Sequence, residues 1–266
     1  MEYIEVAKTN MILALMYKWN LFITSIFDCF RFIAEYAFWL VIFTTGSSTE
    51  MYGYTLNSMI TYYIAMYLVG TITTMGNVGY RIAEDIKEGQ LTNLIIKPFN
   101  CLSYYFFESL GQKIPQIICS TIVFIPVILF FQRRVTFVFD LLTVGSFIVA
   151  LIFAMLLTYA INVFISLFVF WLTEINGLFF MKDIIVDLLS GKTFPIDIMP
   201  VGVFTVLNML PFSYCTYFPI SILINKKTYS EIGLGIIFQV SWIIFLFLLI
   251  HITWKKGIKR YEGTGM

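Results

Sequence analysis

Charged side chains are scarce in this 266-residue sequence, and neither sign of charge prevails. Lysine, arginine, aspartate and glutamate together make up 12% of the residues, roughly half the share of a typical soluble domain. The formal net charge is +1, so no basic field is available to attract nucleic acid, and no nucleic-acid partner is expected. Four scattered cysteines without metal-ligand spacing also argue against a disulfide framework or a metal site.

Catalytic motifs are also missing from the sequence. His251 is the single histidine, and there is no H-E-x-x-H, no G-x-S-x-G and no cluster of cysteine and histidine. The letters SGKT at 190–193 look like the end of a P-loop, but Val186 stands where its first glycine belongs and Phe194-Pro195 follows. No cofactor is therefore expected on this chain, and an intramembrane enzyme is the least favoured function class.

Hydrophobic residues, in contrast, make up 59% of the chain. They come in blocks of roughly 20 or more, which is the length of a helix that crosses a ~30 Å hydrocarbon core. Strands of a membrane β-barrel would instead alternate in polarity over about ten residues. The sequence predicts an all-α polytopic membrane protein with a single permease domain, 1–266, and six transmembrane helices at 20–43, 54–75, 104–131, 141–170, 175–190 and 233–254.

Three further segments are too polar or too short to cross a bilayer. Residues 1–19 have a loose apolar stripe among charges, which indicates a helix in the membrane interface. Residues 191–231 contain four prolines and two short apolar runs, which is typical of re-entrant helices at the outer face. The stretch 81–99, RIAEDIKEGQLTNLIIKPF, packs three acids and three bases between apolar segments.

The distribution of basic residues predicts the orientation. Six spans place both termini on one side, and that side carries nine lysines and arginines against five on the other. Under the positive-inside rule the termini and the 81–99 stretch are cytoplasmic, in a multi-pass protein of the cell (inner) membrane. Arg133 and Arg134 oppose this assignment.

The periodicity of the charged stretch predicts two short amphipathic helices joined at a glycine. Residues 81–88 place Ile82 and Ile86 on one helical face, and Gly89 ends this pattern. A second apolar stripe follows the glycine, and Pro98 closes it. Periodicity alone leaves two alternatives open: a surface that docks on a partner, or a solvated loop that rests its isoleucines on lipid headgroups.

Ionisable residues inside predicted spans form two groups, and such residues usually face the interior of a helix bundle. Residues at i, i+3 and i+7 share one face of the first span, and a second group lies in the fifth span. Each group either lines a polar path for substrate or locks one helix to another. The groups are Asp28, Arg31 and Glu35, and Lys182, Asp183 and Asp187.

Three stretches resemble a known family, the permeases of ABC-2-type exporters. RIAEDIKEGQLTNLIIKP is similar to the family's segment after the second span, with its arginine, acidic pair, glycine, leucine and terminal Lys-Pro. LLSGKTFPIDIMP…LPFSYCTYFP at 188–219 resembles its outer-face segment, and WKKGIKRYEGTG resembles its C-terminal ending. The order and spacing of the three stretches extend the resemblance over most of the chain.

The resemblance implies a role and partners. Such a permease pairs with a second permease, identical or a sister chain, and each rests on a cytosolic ABC ATP-binding subunit that binds ATP and Mg. The loop between spans two and three is the coupling helix, and 191–231 is the outer gate. The resemblance does not name the substrate, but a dimer-interface cavity lined by some of the 28 Phe and 12 Met would suit a hydrophobic or amphipathic one. The implied residues are Arg81, Glu84, Asp85, Glu88, Gly89 and Leu91 for contact, Lys97 and Pro98 for the return to the membrane, and Pro195, Pro200, Pro211 and Pro219 for the gate.

The alternative function is an ATP-independent channel or secondary transporter. Folds of that kind often show repeated halves and broken helices near the midplane. The sequence shows no repeat, and the charged 81–99 stretch has no evident purpose in such a protein. The ATP-driven permease is therefore the preferred interpretation.

Overall fold

The structure, a computed structural model, describes residues 2–45, 50, 53–137, 140–172 and 176–261. Within these ranges the chain is helical and has no β-strand, which confirms the predicted all-α class. Short 3₁₀-helices cover Leu167–Phe170, Ile196–Ile198 and Pro211–Cys215. The α-helices are α1 (Glu2–Met16), α2 (Lys18–Thr45), α3 (Leu56–Thr73), α4 (Gly76–Lys87), α5 (Thr92–Ile95), α6 (Cys101–Phe131), α7 (Leu141–Ser166), α8 (Asn176–Leu189), α9 (Val201–Met209), α10 (Tyr217–Leu223) and α11 (Tyr229–Ile258).

Among the described residues, three helices have the length and composition needed to cross a membrane. They are α6, α7 with its extension to Phe170, and α11, each 30 or 31 residues long, or about 45 Å. The 28-residue α2 carries Asp28, Arg31 and Glu35, and α3 has 18 residues. The 14 residues of α8 span only about 21 Å. The count of six spans therefore stays a prediction.

Helix α3 lies inside the bundle. Eleven of its 18 residues are buried, and it packs against α2, α6, α7 and α10. A helix that is apolar all round suits such a position. Its first turn is fixed by a capping box, in which Thr55 and Ser58 exchange side-chain and backbone hydrogen bonds. Because α3 is rich in tyrosine, several hydroxyl groups inside the bundle need hydrogen-bond partners.

Helices α1 and α2 run alongside α6 in the same direction. The Tyr3 ring stacks on Phe107 at a centroid distance of 5.4 Å, and the backbone of Ala7 packs directly on Gly111, where a Cβ would overlap it. Further along, the Tyr36 ring packs edge-on against Phe131. A helix does form where the interfacial helix of 1–19 was predicted, and it lies against the first half of α6. Its position in a membrane interface stays a prediction.

The beginning of α1, the 81–99 stretch and Tyr261 just after α11 meet at one end of the bundle, called here the terminal end. The Tyr3 hydroxyl accepts a hydrogen bond from the backbone N–H of Asn100 at 3.1 Å. The Tyr261 hydroxyl accepts another from the N–H of Thr92 at 3.2 Å. The opposite end holds residues 53–55, 191–198 and 225–228.

Candidate functional site

The 81–99 stretch forms a compact helix-turn-helix element at the terminal end. Helix α4 ends at Lys87, Gly89 has a positive φ of 76°, and α5 follows. Glycine adopts this backbone conformation without steric cost. The turn is closed by a hydrogen bond of 2.9 Å from the N–H of Leu91 to the carbonyl of Asp85. The structure thus contains the two predicted short helices, α4 and α5, joined at Gly89. Helix α4 begins at Gly76, five residues earlier than predicted.

One face of the element is buried and the other is charged and exposed. Most of its apolar side chains lie in the core, with Ile82 and Leu91 fully enclosed, whereas Ile95 and Ile96 are exposed. The exposed rim consists of Glu84, Lys87, Glu88 and Gln90, together with Arg81 on the preceding turn and Lys97 and Pro98 beyond α5.

Asp85 and Leu91 correct the predicted contact surface. Asp85 is 3% exposed and Leu91 is 0% exposed, so neither side chain is available to a docking partner. Both belong to the packing that fixes the element against the bundle. The surface available for contact is therefore narrower than the sequence predicts, and it is built from the exposed rim alone.

Asp85 belongs to a polar cluster that joins α4 to α6. The Tyr105 hydroxyl, which is buried, donates to Asp85 Oδ2 at 2.7 Å. Arg81 lies between two carboxylates, with Nη1 at 3.5 Å from Asp85 Oδ1 and Nε at 3.6 Å from Glu108 Oε1. Burial lowers the pKa of Arg81, but the negative charges of Asp85 and Glu108 raise it by more. The pKa of Arg81 is therefore above its ordinary value. The element is thus held to α6 by one buried hydrogen bond, Tyr105–Asp85, and by the Arg81–Glu108 ion pair.

Asp28, Arg31 and Glu35 share one face of α2, as the spacing predicts. Arg31 Nε lies 3.1 Å from Glu35 Oε1. The Tyr67 hydroxyl of α3 donates to Glu35 Oε2 at 3.1 Å. Glu35 therefore accepts hydrogen bonds from two helices, which ties α2 to α3.

The charges of α2 also extend to α6 and α8. Arg31 interacts electrostatically with Asp187, whose Oδ1 accepts a hydrogen bond from Lys192 Nζ at 3.0 Å. Asp28 interacts in the same way with Lys113. Acids and bases alternate along this partly exposed strip, so opposite charges compensate each other. Passage of substrate along the strip stays a prediction.

The 191–231 segment enters the bundle and turns back. Gln239 lies ten residues after the start of α11, about 15 Å along that helix. Its amide nitrogen donates to the carbonyls of Tyr214 and Ala150, each at 3.0 Å. Tyr214 therefore lies inside the bundle, about 15 Å from the opposite end. The chain is back at that end by residue 225. The four prolines border this path: Pro195, Pro211 and Pro219 are buried, and Pro200 is exposed before α9.

Three tyrosines hold the start of this segment. Tyr62 and Tyr63 of α3 donate to the carbonyls of Gly191 and Thr193, at 2.6 and 2.9 Å. Tyr54 donates to Asp197 Oδ1 at 2.9 Å. The SGKT letters thus lie in a turn after α8 whose carbonyls accept bonds from α3.

The opposite end also carries a partly buried ion pair. Lys226 Nζ lies 2.7 Å from Asp197 Oδ2 and 3.1 Å from the centroid of the Tyr54 ring. Burial lowers the pKa of Lys226, and the hydrogen bond and charge of Asp197 oppose this change. A cation–π interaction with the face of the Tyr54 ring also stabilises the ammonium group. The three residues are called here the outer triad, after the predicted outer gate that they border. They join the chain before α3 (Tyr54), the 3₁₀-helix 196–198 (Asp197) and the chain before α11 (Lys226).

A comparison with protein families gives the deciding observation. Residues 30–265 match the family described as ABC-2 family transporter protein, which is most of the chain. The chain belongs to the ABC-2 transporter family. No curated protein and no solved structure matched it. The match confirms the predicted resemblance, and this ABC-2 protein is a multi-pass membrane permease with a role in transport.

Lys182 of the ABC-2 permease has the geometry of a helix lock. Its side chain is 6% exposed, and Nζ donates to Asn162 Oδ1 of α7 at 2.7 Å. Asp183 Oδ1 lies 2.6 Å from the same nitrogen but is half-exposed. The Asn162 amide is itself fixed by a hydrogen bond to the carbonyl of Thr158. Of the two roles left open for Lys182, this geometry favours locking.

Replacing Asn162 with leucine in the permease should lower the free energy of unfolding by about 2 kcal/mol, because a buried hydrogen bond to a charged group is lost. The N162L/K182M double variant should recover part of this loss, since an apolar pair can replace a buried polar one. Thermal unfolding of the purified protein measures both. Equal destabilisation by the single and double variants would contradict the lock.

The residues that pair across the ABC-2 permease were missed by the sequence prediction. Asn162, Glu108 and the outer triad are far from their partners in sequence, and Tyr54 and Asp197 are separated by 143 positions. The sequence does contain one signal for them: Glu108 is an acid near the start of the predicted span 104–131.

Proposed function

We propose that this ABC-2 permease is the membrane-spanning subunit of an ATP-driven exporter. ATP and Mg²⁺ are bound by a separate cytosolic ABC ATP-binding subunit, and a second permease, identical or a sister chain, completes the membrane part. The substrate is hydrophobic or amphipathic and leaves the cytoplasm. The charged rim of the 81–99 element is the contact surface for the ATP-binding subunit.

The attachment of the 81–99 element to the bundle is the observation that carries this proposal. The element is tied to α6 by the Asp85–Tyr105 hydrogen bond and to the end of α11 by Thr92–Tyr261. A partner that displaces the exposed rim therefore moves two long helices with it. Packed helices respond to such a displacement by rigid-body shifts.

The proposal is tested by reversing the exposed acids of the rim. The E84K/E88K variant leaves buried Asp85 intact, so the fold is expected to persist. Affinity purification should bring down an ATP-binding protein with the wild-type permease, and about fivefold less with the variant, because exposed charges contribute modestly. The ATPase activity of the purified complex should fall in parallel.

The E2K/E5K variant is the matched control. It makes the same change of charge on exposed residues of α1, at the same end of the bundle. It should retain the wild-type amount of ATP-binding protein. The proposal fails if wild-type permease transports substrate without any ATP-binding subunit, or if both variants retain that subunit equally.

A further inference from the structure

An apolar cavity with basic neighbours lies at the terminal end, between the 95–102 segment and α11. Its volume is about 370 Å³. Apolar and aromatic side chains dominate its lining, with His251 and Asn100 as polar members. The apolar lining includes Phe99, Leu102, Phe247, Ile250, Trp254 and Ile258.

The chain around this cavity is basic and contains no acid over two stretches. Residues 94–104 and 245–261 include five lysines and arginines and neither aspartate nor glutamate. Lys97 Nζ lies 5.7 Å from the centroid of Phe99, a lining residue. Lys255 and Lys259 are exposed and follow Trp254 and Ile258 directly, so they border the lined face of α11.

The apolar surface of α11 continues away from the cavity. Leu248 is 58% exposed and Ile252 is 50% exposed. In a membrane protein, such a surface faces acyl chains, and tryptophan and lysine at the end of the helix lie at headgroup level. The cavity is thus positioned where an acyl chain and a headgroup meet.

We propose that this cavity binds an anionic phospholipid. The acyl chains lie along the apolar lining and α11, and the phosphate lies among Lys97, Lys255 and Lys259. Basic pockets between membrane helices bind anionic headgroups in this way. The inference requires a membrane protein but does not depend on an ATP-binding partner. Of its three lysines, only Lys97 belongs to the exposed rim, whereas Lys255 lies on α11 and Lys259 directly follows that helix.

Native mass spectrometry of the purified full-length protein tests the proposal. Phosphatidylglycerol, phosphatidylcholine and soluble glycerol 3-phosphate are titrated separately. Wild-type protein should bind phosphatidylglycerol at least about tenfold more tightly than phosphatidylcholine, and the K97Q/K255Q/K259Q variant should lose that preference. The K8Q/K18Q/R133Q variant removes the same charge from exposed positions elsewhere and should keep it.

A second variant tests the cavity itself. Ile95 lines it and is 42% exposed, so I95W should fill the space, leave the fold intact and reduce the number of bound phosphatidylglycerol molecules. Equal binding of both lipids by wild type overturns the proposal, as does an unchanged lipid count in I95W. Competition by glycerol 3-phosphate at the same concentration would assign the site to a soluble phosphate ester. Loss of lipid when an ATP-binding subunit joins would assign the surface to that protein.

Discussion

Replacing Asp85 with alanine should lower the free energy of unfolding by about 3 kcal/mol and free the 81–99 element from α6. The main cause is the Tyr105 hydroxyl, which is buried and donates to Asp85. A buried hydroxyl without an acceptor costs about 1–3 kcal/mol, and the small cavity left by the truncation adds to this. Arg81 contributes less, because its side chain is nearly half-exposed and keeps Glu108 as a second partner.

Thermal unfolding of the detergent-purified permease measures this effect, with an expected fall in Tm of roughly 5–10 °C. The Tm of D85N should fall less, because asparagine keeps an acceptor for the Tyr105 hydroxyl. Combining D85A with Y105F should cost less than the sum of the two single variants, because both break the same hydrogen bond. E84A, at an exposed neighbour, should leave Tm unchanged. Equal effects of D85A and E84A would contradict the buried role of Asp85.

Helices α7 and α11 lie where long apolar runs predict them, because the length of an apolar run is a direct physical requirement for a membrane helix. The predicted range 141–170 coincides with α7 and its 3₁₀ extension. The range 233–254 is shorter than α11, which runs from Tyr229 to Ile258. The helix starts earlier because Thr228 and Glu231 form a capping box, and it continues through Lys255 and Lys256, whose charges suit a helix C-terminus.

The burial of individual charged residues was harder to predict. Asp85 lies between the buried and the exposed face of α4, three residues after Ile82 and one after Glu84. Periodicity therefore allows either environment, and only the position of Tyr105 on α6 decides it. The element and its break at Gly89 follow from local sequence, whereas the part of it that remains for contact depends on packing between helices.

In the 191–231 segment too, local sequence predicts the elements, whereas their contacts depend on packing between helices. Its prolines and short apolar runs predict broken helices, and the structure contains them. Its attachment depends on Tyr62 and Tyr63 of α3 and on Tyr54 just before that helix. The hydroxyl groups reach backbone and carboxylate acceptors about 130 residues away, and no local pattern encodes such a distance.

Replacing Asp197 with alanine should loosen the opposite end of the permease and lower the free energy of unfolding by about 3 kcal/mol. Tyr54 is 0% exposed, so its hydroxyl has no access to water once the carboxylate is gone. Lys226 is a quarter exposed, and with its pKa already lowered by burial it can turn to solvent or lose its proton. The buried hydroxyl therefore sets most of the cost.

Three variants separate the contributions to the outer triad. D197N keeps an acceptor for Tyr54 without the charge and should recover more than half of the loss in thermal stability. Y54F removes the hydroxyl and should make a further D197A change less harmful. K227A serves as the control, because it alters a neighbouring lysine outside the triad. Among the described residues, the only acid close to Lys227 is Glu231, at 3.9 Å. Because the triad joins three segments around the predicted outer gate, D197A should also increase the reactivity of a cysteine placed at Ile196, which is fully buried. Unchanged stability and unchanged labelling in D197A would show that the triad does not hold this segment.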